Sequence, residues 1–191
     1  MYLGNSLRAM HDYFPLANRI VGIDIDPNCK NIEFDFKKNN AYVLIGSQDD
    51  REFLTHVDDM HGPFDMILDD ASHDGKLTIA AFKILFPMLK DGGMYVIEDT
   101  TAFRDELGYF QDLIRHSLNA WRKDDYISNG NDHCVDPYKM DRVPTSADPN
   151  EDAILFSIGE ISYGYSSIII RKEVKPHWMA KLPGTDRDAV V

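Results

Sequence analysis

FDMILDDASHDG, residues 64–75, is the stretch on which the fold turns. It opens as a short apolar strand over 64–68. It ends in two carboxylates, Asp69 and Asp70, and then a histidine, His73. Further along the pattern recurs: Met94, Tyr95, Val96 and Ile97 read as a strand that ends in Glu98 and Asp99. In a parallel sheet the carboxyl ends of neighbouring strands line the ligand crevice. Two strand ends carrying acids, with a histidine beside them, therefore mark a candidate site.

Working outward, the chain alternates strands with helices. Residues 7–14 predict a helix with Ser6 as N-cap and Pro15 just beyond it. RIVGIDI, 19–25, predicts a β-branched strand, and Asp26-Pro27-Asn28 a turn. AYVLI, 41–45, is a second strand closed by Gly46. Ser47 or Asp49 is placed to cap a helix over 50–60, which His61-Gly62-Pro63 breaks. After the opening strand, 76–89 predicts a helix, and Asp91-Gly92-Gly93 leads into the strand that ends at Glu98. Residues 103–121 carry apolar side chains at helical spacing, best read as core. The stretch 122–152 is polar, rich in Asn, Asp and Pro, and without period, a candidate lid insert. Two β-rich runs, 153–158 and 166–171, with Gly159 and Gly164 between them, predict an antiparallel pair.

This order predicts an α/β protein with helices on both faces of a mostly parallel sheet. A nucleotide-binding domain of that kind opens with a strand feeding a glycine-rich turn. MYLGNSL, 1–7, has room for the turn and hardly any for the strand. The expectation is a single domain over 1–191, shortened at its amino end.

Composition narrows the partners. The net charge of −12 argues against nucleic acid, because phosphate binding needs basic patches. Two cysteines, Cys29 and Cys134, make no disulfide framework, and a reducing cytoplasm is expected. No secretory leader and no membrane-spanning run is read, and a homo-oligomer is left open.

Carboxylates crowded at one edge repel each other, and a divalent cation offsets that repulsion. All-oxygen ligation suits Mg²⁺, Ca²⁺ or Mn²⁺ better than zinc. Such an ion lowers the pKa of a bound hydroxyl, and His73 can take the proton. Taken singly, Asp69 would be read as a helix cap, His73 as a loop residue and Glu98-Asp99 as a solvated turn. Asp24 ends its strand where an acid takes ribose hydroxyls in nucleotide-binding folds, and Gly4 lets the backbone approach a ligand.

GIDIDP (22–27), IGSQDD (45–50), FDMILDDASH (64–73), LKDGGMYVIEDT (89–100) and YSSIIIRK (165–172), in that order and spacing, resemble class I S-adenosylmethionine-dependent methyltransferases. The branch it looks most like is the metal-dependent macrolide sugar O-methyltransferases of mycinamicin and tylosin type, together with cephalosporin-hydroxylase-like proteins. The resemblance implies a Rossmann-like methyltransferase sheet, mostly parallel with an antiparallel last strand, lacking its first strand. It implies S-adenosyl-L-methionine and Mg²⁺ as cofactors and a small-molecule hydroxyl acceptor, a sugar or other natural product. Asp70, Glu98 and Asp99 match metal ligands, and His73 matches the general base. Gly4, Asn5 and Ser6 match the tail of the glycine-rich loop. Asp24 matches the ribose acid. Ser47, Gln48 and Asp49 match the turn beside the adenine, and Asp69 is assigned with these to the cofactor. Asn5 and Ala71 depart from the family pattern. Two rival expectations stand beside this one: a catechol-like phenol as acceptor, and a shortened domain that binds without catalysing.

Overall fold

A computed structural model describes residues 4–32, 35, 38, 40–100, 108–113, 154–155 and 157–173. Helix α1, Asn5–Tyr13, precedes strand β1, Ile20–Asp24; β2, Ala41–Ile45, then leads into α2, Arg51–His61. Strand β3, Phe64–Asp69, is followed by α3, Gly75–Leu85, and by β4, Leu89–Ile97. Strands β5, Ile158–Tyr163, and β6, Ile168–Lys172, close the described chain. The expected lid, 122–152, lies outside the described residues.

The strands form two sheets, β1-β2 and β3-β4-β6-β5. β1 runs parallel to β2, with Ile20 opposite Ala41 and Asp24 opposite Ile45. β3 runs parallel to β4, and Asp69 stands opposite Ile97. β6 is antiparallel to both β4 and β5, so in that sheet the last strand alone runs against the others. The expected α/β architecture with a reversed last strand is thus present. No described strand pairs with both β1 and β3.

Several local expectations shift. The helix expected at 7–14 begins at Asn5, and Gly4, not Ser6, holds the cap position, without a side-chain bond. Gly4 has φ 76°, and a Cβ there would run into the Ile32 side chain, so only glycine fits this approach. The α2 cap is Asp50, whose Oδ1 accepts from the Phe53 N–H at 3.0 Å. Ser47 and Asp49 instead bond to each other. Asp50 wins because it directly precedes the first helical residue in extended geometry, within reach of the third helical N–H. The helix expected to reach 89 stops at Leu85 and tightens into a 3₁₀ turn, Phe86–Met88. Pro87 explains the stop, since it has no N–H to continue the ladder. Leu89 then starts β4, which absorbs the expected Asp91-Gly92-Gly93 turn.

The fifth strand also moves. Ile154, Leu155 and Ser157 are helical, and the Ser157 hydroxyl donates to the Ile154 carbonyl at 3.1 Å. The strand begins at Ile158 and continues through Gly159, setting Ile161 opposite Ile170. Ile154 and Leu155 still enter the core, so apolar content alone did not distinguish a helical turn from a strand.

The core lies over the larger sheet. Phe82 of α3 is fully buried and meets the rings of Phe86, Tyr95 and Phe110 at 5.0, 5.3 and 5.5 Å between centroids. Residues 108–113 are helical and bury Phe110 and Leu113, as expected for that part of the stripe, and the rest of 103–121 lies outside the described residues. Ile97, Ile168 and Ile170 fill the adjoining strand positions. Among the described residues no helix is long and apolar enough to cross a membrane.

Around the smaller sheet, His61 at the end of α2 packs at a 47° tilt against Tyr42 of β2 with centroids 4.5 Å apart. Burial, with Arg19 and His56 adding to it, holds the His61 imidazole below its ordinary value of 6.5. The folded chain therefore binds this proton less readily than the unfolded chain. The His61 contribution to stability is whole above pH 6.5 and is lost as pH falls through the lower folded value. We expect His61→Gln to flatten the fall of the urea midpoint between about pH 7 and about pH 5. An unchanged slope would mean that the imidazole stays solvated and carries no linkage.

Candidate active site at the strand ends

Because β3 and β4 are parallel and in register through Asp69 and Ile97, their chains leave the sheet side by side. The Glu98 N–H donates to the Asp69 carbonyl at 2.9 Å, the last tie between the two exits. Beyond it the two turns converge. His73 Nε2 lies 3.1 Å from Asp70 Oδ1 and 3.8 Å from Asp99 Oδ2. One ligand atom from each of Asp70, His73 and Asp99 lies within 4.8 Å of the others, and all three residues are exposed. Two carboxylates held this close repel each other unless a positive charge joins them.

Backbone geometry marks two of these three residues. His73 has φ 54° and Asp99 has φ 53°, the left-handed region that side-chain-bearing residues rarely adopt. Each such residue costs on the order of 1–3 kcal/mol, and strain of this sort gathers at functional sites. Here the two strained residues face one another across the cluster. The turn that carries His73 is pinned at its far end by Asp74, whose carboxylate accepts from the Lys76 and Leu77 N–H groups at 3.0 and 3.1 Å. Asp74→Ala is expected to lower stability by about 1 kcal/mol, read as a drop in the urea midpoint. No change would place the cap elsewhere.

The expected site residues distribute as follows. Asp70, His73 and Asp99 come together. Glu98 is exposed, and its carboxylate is not part of that cluster. Asp69, assigned by sequence to the cofactor and alternatively to a helix cap, is only 8% exposed and caps nothing. Its carboxylate accepts from the Tyr95 hydroxyl at 3.1 Å. Burial raises the Asp69 carboxyl above its ordinary range and neighbouring Asp70 adds to this, while Tyr95, the Ala71 N–H and His73 act against it. Burial and then the Asp69 charge push the Tyr95 hydroxyl well above its usual value. Sequence reasoning gave Tyr95 no role. Its only signal was a hydroxyl inside an otherwise aliphatic strand.

On the other side, Asp24 ends β1, and its Oδ1 accepts from the Asp26 N–H at 2.9 Å. Burial raises the Asp24 carboxyl, and hydrogen bonds from the Asp26 N–H and the Cys29 side chain act against it. Gln48, just past β2, reaches the turn that carries His73: its Oε1 accepts from the Ser72 N–H at 3.2 Å. Its Nε2 is buried and has no partner among the described residues, a donor that awaits an acceptor. Gly4, Asn5 and Ser6 sit at the amino end of α1, where backbone N–H groups are unpaired by the helix itself.

The family model described as methyltransferase domain matches residues 1–100. The chain is 43% identical over 96 residues to the 8-demethyl-8-(2-methoxy-alpha-L-rhamnosyl)-tetracenomycin-C 3'-O-methyltransferase of Streptomyces olivaceus, covering 50% of this chain and 23% of that protein. It is 41% identical over 100 residues to the L-olivosyl-oleandolide 3-O-methyltransferase of Streptomyces antibioticus, covering 51% of this chain and 24% of that one. Among solved structures, the MycE methyltransferase from the mycinamycin biosynthetic pathway, in complex with Mg and SAH, superposes with a TM-score of 0.65 at 26% identity. That match covers 89% of this chain and 40% of the MycE chain. The chain thus spans under a quarter of the length of these two curated relatives.

Proposed function

The chain belongs to the methyltransferase-domain family, and from that premise we propose that it carries the metal and base site of an O-methyltransferase. The proposed cofactors are S-adenosyl-L-methionine and Mg²⁺, and the acceptor is a hydroxyl on a small molecule, a sugar of a natural product. The observation that carries this reading is the convergence of Asp70, His73 and Asp99 at two adjacent strand ends. The residues fit the groups: paired carboxylates suit a hard divalent cation, and the buried Gln48 Nε2, without a partner among the described residues, suits a hydrogen-bonding ligand beside the same turn. When bound, S-adenosylmethionine supplies an electrophilic methyl group and Mg²⁺ supplies positive charge that acidifies and orients a coordinated hydroxyl.

Asp70 and Asp99 would hold the ion, and Glu98, one residue before Asp99, is proposed as a further ligand. His73 would accept the acceptor's proton, with Asp70 at 3.1 Å fixing the ring and stabilising the imidazolium that forms. Asp24 is proposed to take ribose hydroxyls. Ser47, Gln48 and Asp49 are proposed to border the base, and Gly4, Asn5 and Ser6 to border the cofactor through their backbone. Relatives named for methylation at rhamnosyl and olivosyl groups favour a sugar over a phenol as acceptor.

A second reading has a specific observation behind it. His73 Nε2 lies inside the cluster, so the imidazole could be a ligand to the ion and not the base. The function test is calorimetric titration of the chain with S-adenosylmethionine, with and without Mg²⁺, followed by incubation with deoxysugar glycosides and mass analysis. Heat on titration and EDTA-sensitive methylation support the proposal. No heat under either condition would sink it.

A further inference from the structure

We propose that Tyr95 is a positioning residue for this site: from beneath the sheet ends it cross-braces the two turns that carry Asp70, His73 and Asp99. The inference rests on the metal site proposed above. Tyr95 lies on β4, the strand that delivers Asp99, and its side chain is fully buried. Its hydroxyl donates across to Asp69 Oδ2, at the end of β3, the strand that delivers Asp70 and His73.

Asp69 works in both directions. Its carboxylate also accepts from the Ala71 N–H, and Ala71 is the residue just past Asp70 on the way to His73. Its carbonyl accepts from the Glu98 N–H at 2.9 Å, one residue before Asp99. Tyr95, Asp69, Ala71 and Glu98 therefore close a hydrogen-bonded brace that ties both turns to one buried point. Each turn includes a residue in the left-handed region, His73 and Asp99, and such geometry persists only where its surroundings over-determine it. The brace supplies that constraint on the side away from solvent.

Charge alone does not account for the arrangement. A buried carboxylate directly behind Asp70 adds negative charge to a crowded edge, and a purely structural strand end would be served by an aliphatic residue. Placing Asp69 there is useful if its two oxygens and its carbonyl hold three donors in fixed relation. Partners that orient metal ligands from outside the coordination sphere typically change metal affinity by about 10–100-fold when removed.

The test is Tyr95→Phe, which keeps the ring that meets Phe82 at 5.3 Å and removes the hydroxyl. Two readouts are taken: Mn²⁺ affinity, from the free-ion EPR signal, and amide hydrogen exchange in the metal-free protein. We expect Mn²⁺ binding weakened by about 10–100-fold, and faster exchange confined to Ala71, Glu98 and their turns, with the amides of β6 unchanged. A variant with a lower melting temperature but wild-type Mn²⁺ affinity and wild-type local exchange overturns the proposal, since Tyr95 would then only fill the core. If the wild-type chain binds no Mn²⁺, the metal reading fails by itself. The exchange data still decide whether the brace holds the turns. Should Tyr95→Phe not fold, Asp69→Asn, which offers one acceptor oxygen where two stood, is held to the same two outcomes.

Discussion

On the proposed function, His73→Ala should lower methyl transfer by about 10²–10⁴-fold while leaving S-adenosylmethionine affinity nearly unchanged. The imidazole faces Asp70 at 3.1 Å and Asp99 at 3.8 Å, on a turn that leaves β3 beside the exit of β4. A group placed there reaches the acceptor oxygen only if that oxygen sits at the carboxylate pair. Removing it should therefore affect the proton and not the cofactor. Mn²⁺ affinity separates the two readings of His73. A base leaves it unchanged, whereas a ligand lost from the cluster lowers it in parallel with turnover. A comparable fall in cofactor affinity would instead mean that the ring shapes the pocket. Because His73 has φ 54°, His73→Asn is the better-tolerated companion, since asparagine adopts this region more readily than most residues. If alanine and asparagine lose activity equally, the loss belongs to the imidazole and not to a relaxed turn.

The second large effect is expected at Asp99→Asn. Asparagine matches the side chain's size and tolerates φ 53°, so the backbone should hold while one negative charge leaves the cluster. Cation affinity in carboxylate sites follows the number of charged ligands, and a loss on the order of 10²-fold is expected in a Mn²⁺ titration. In the absence of metal the sign reverses. Asp99 and Asp70 repel each other, so the variant should be slightly more stable than the parent. Both carboxylates are substantially exposed, 62% and 42%, so solvent screening limits the gain to about 0.2–1 kcal/mol, larger at low salt. Weaker metal binding with higher metal-free stability is the signature of charges kept for function. An Asp99→Asn protein that binds Mn²⁺ as the parent does would remove Asp99 from the ligand set.

Much of the site was legible because strand ends are legible. Apolar runs at 64–68 and 94–97 that stop abruptly at acids identify parallel strands and place those acids at one edge. That reasoning brought Asp70, His73 and Asp99 to one place, where the structure has them. It could not separate Asp69 from Asp70, since adjacent carboxylates leaving a strand point to opposite faces and the sequence does not say which face is core. The burial of Asp69 against Tyr95 depends on a contact between residues 26 apart, which no local pattern encodes. Glu98 shows the same limit from the other direction. Its neighbour Asp99 turns back toward His73 through a left-handed backbone, while the Glu98 side chain remains outside the cluster.

Beyond what the family resemblance implied for the last strand, the sequence by itself determined the α/β class, the order of the strands and the edge at which the acids gather. These follow from hydrophobic periodicity, helix and turn signals, and the handedness of βαβ connections, all of which act over a few residues. Only the tertiary structure decided which of several nearby polar groups does what. Asp50 caps α2 because its position and dihedrals suit the third helical N–H, not because Ser47 or Asp49 lacked the chemistry. Helical geometry carries Ile154 and Leu155 into the core and defers β5 to Ile158, because pairing with β6 sets the strand's register. Tyr95 became part of the site only once β4 was laid beside β3. Hydrogen bonds and ion pairs between side chains act over about 3–4 Å, and the fold alone brings residues distant in the chain within that range.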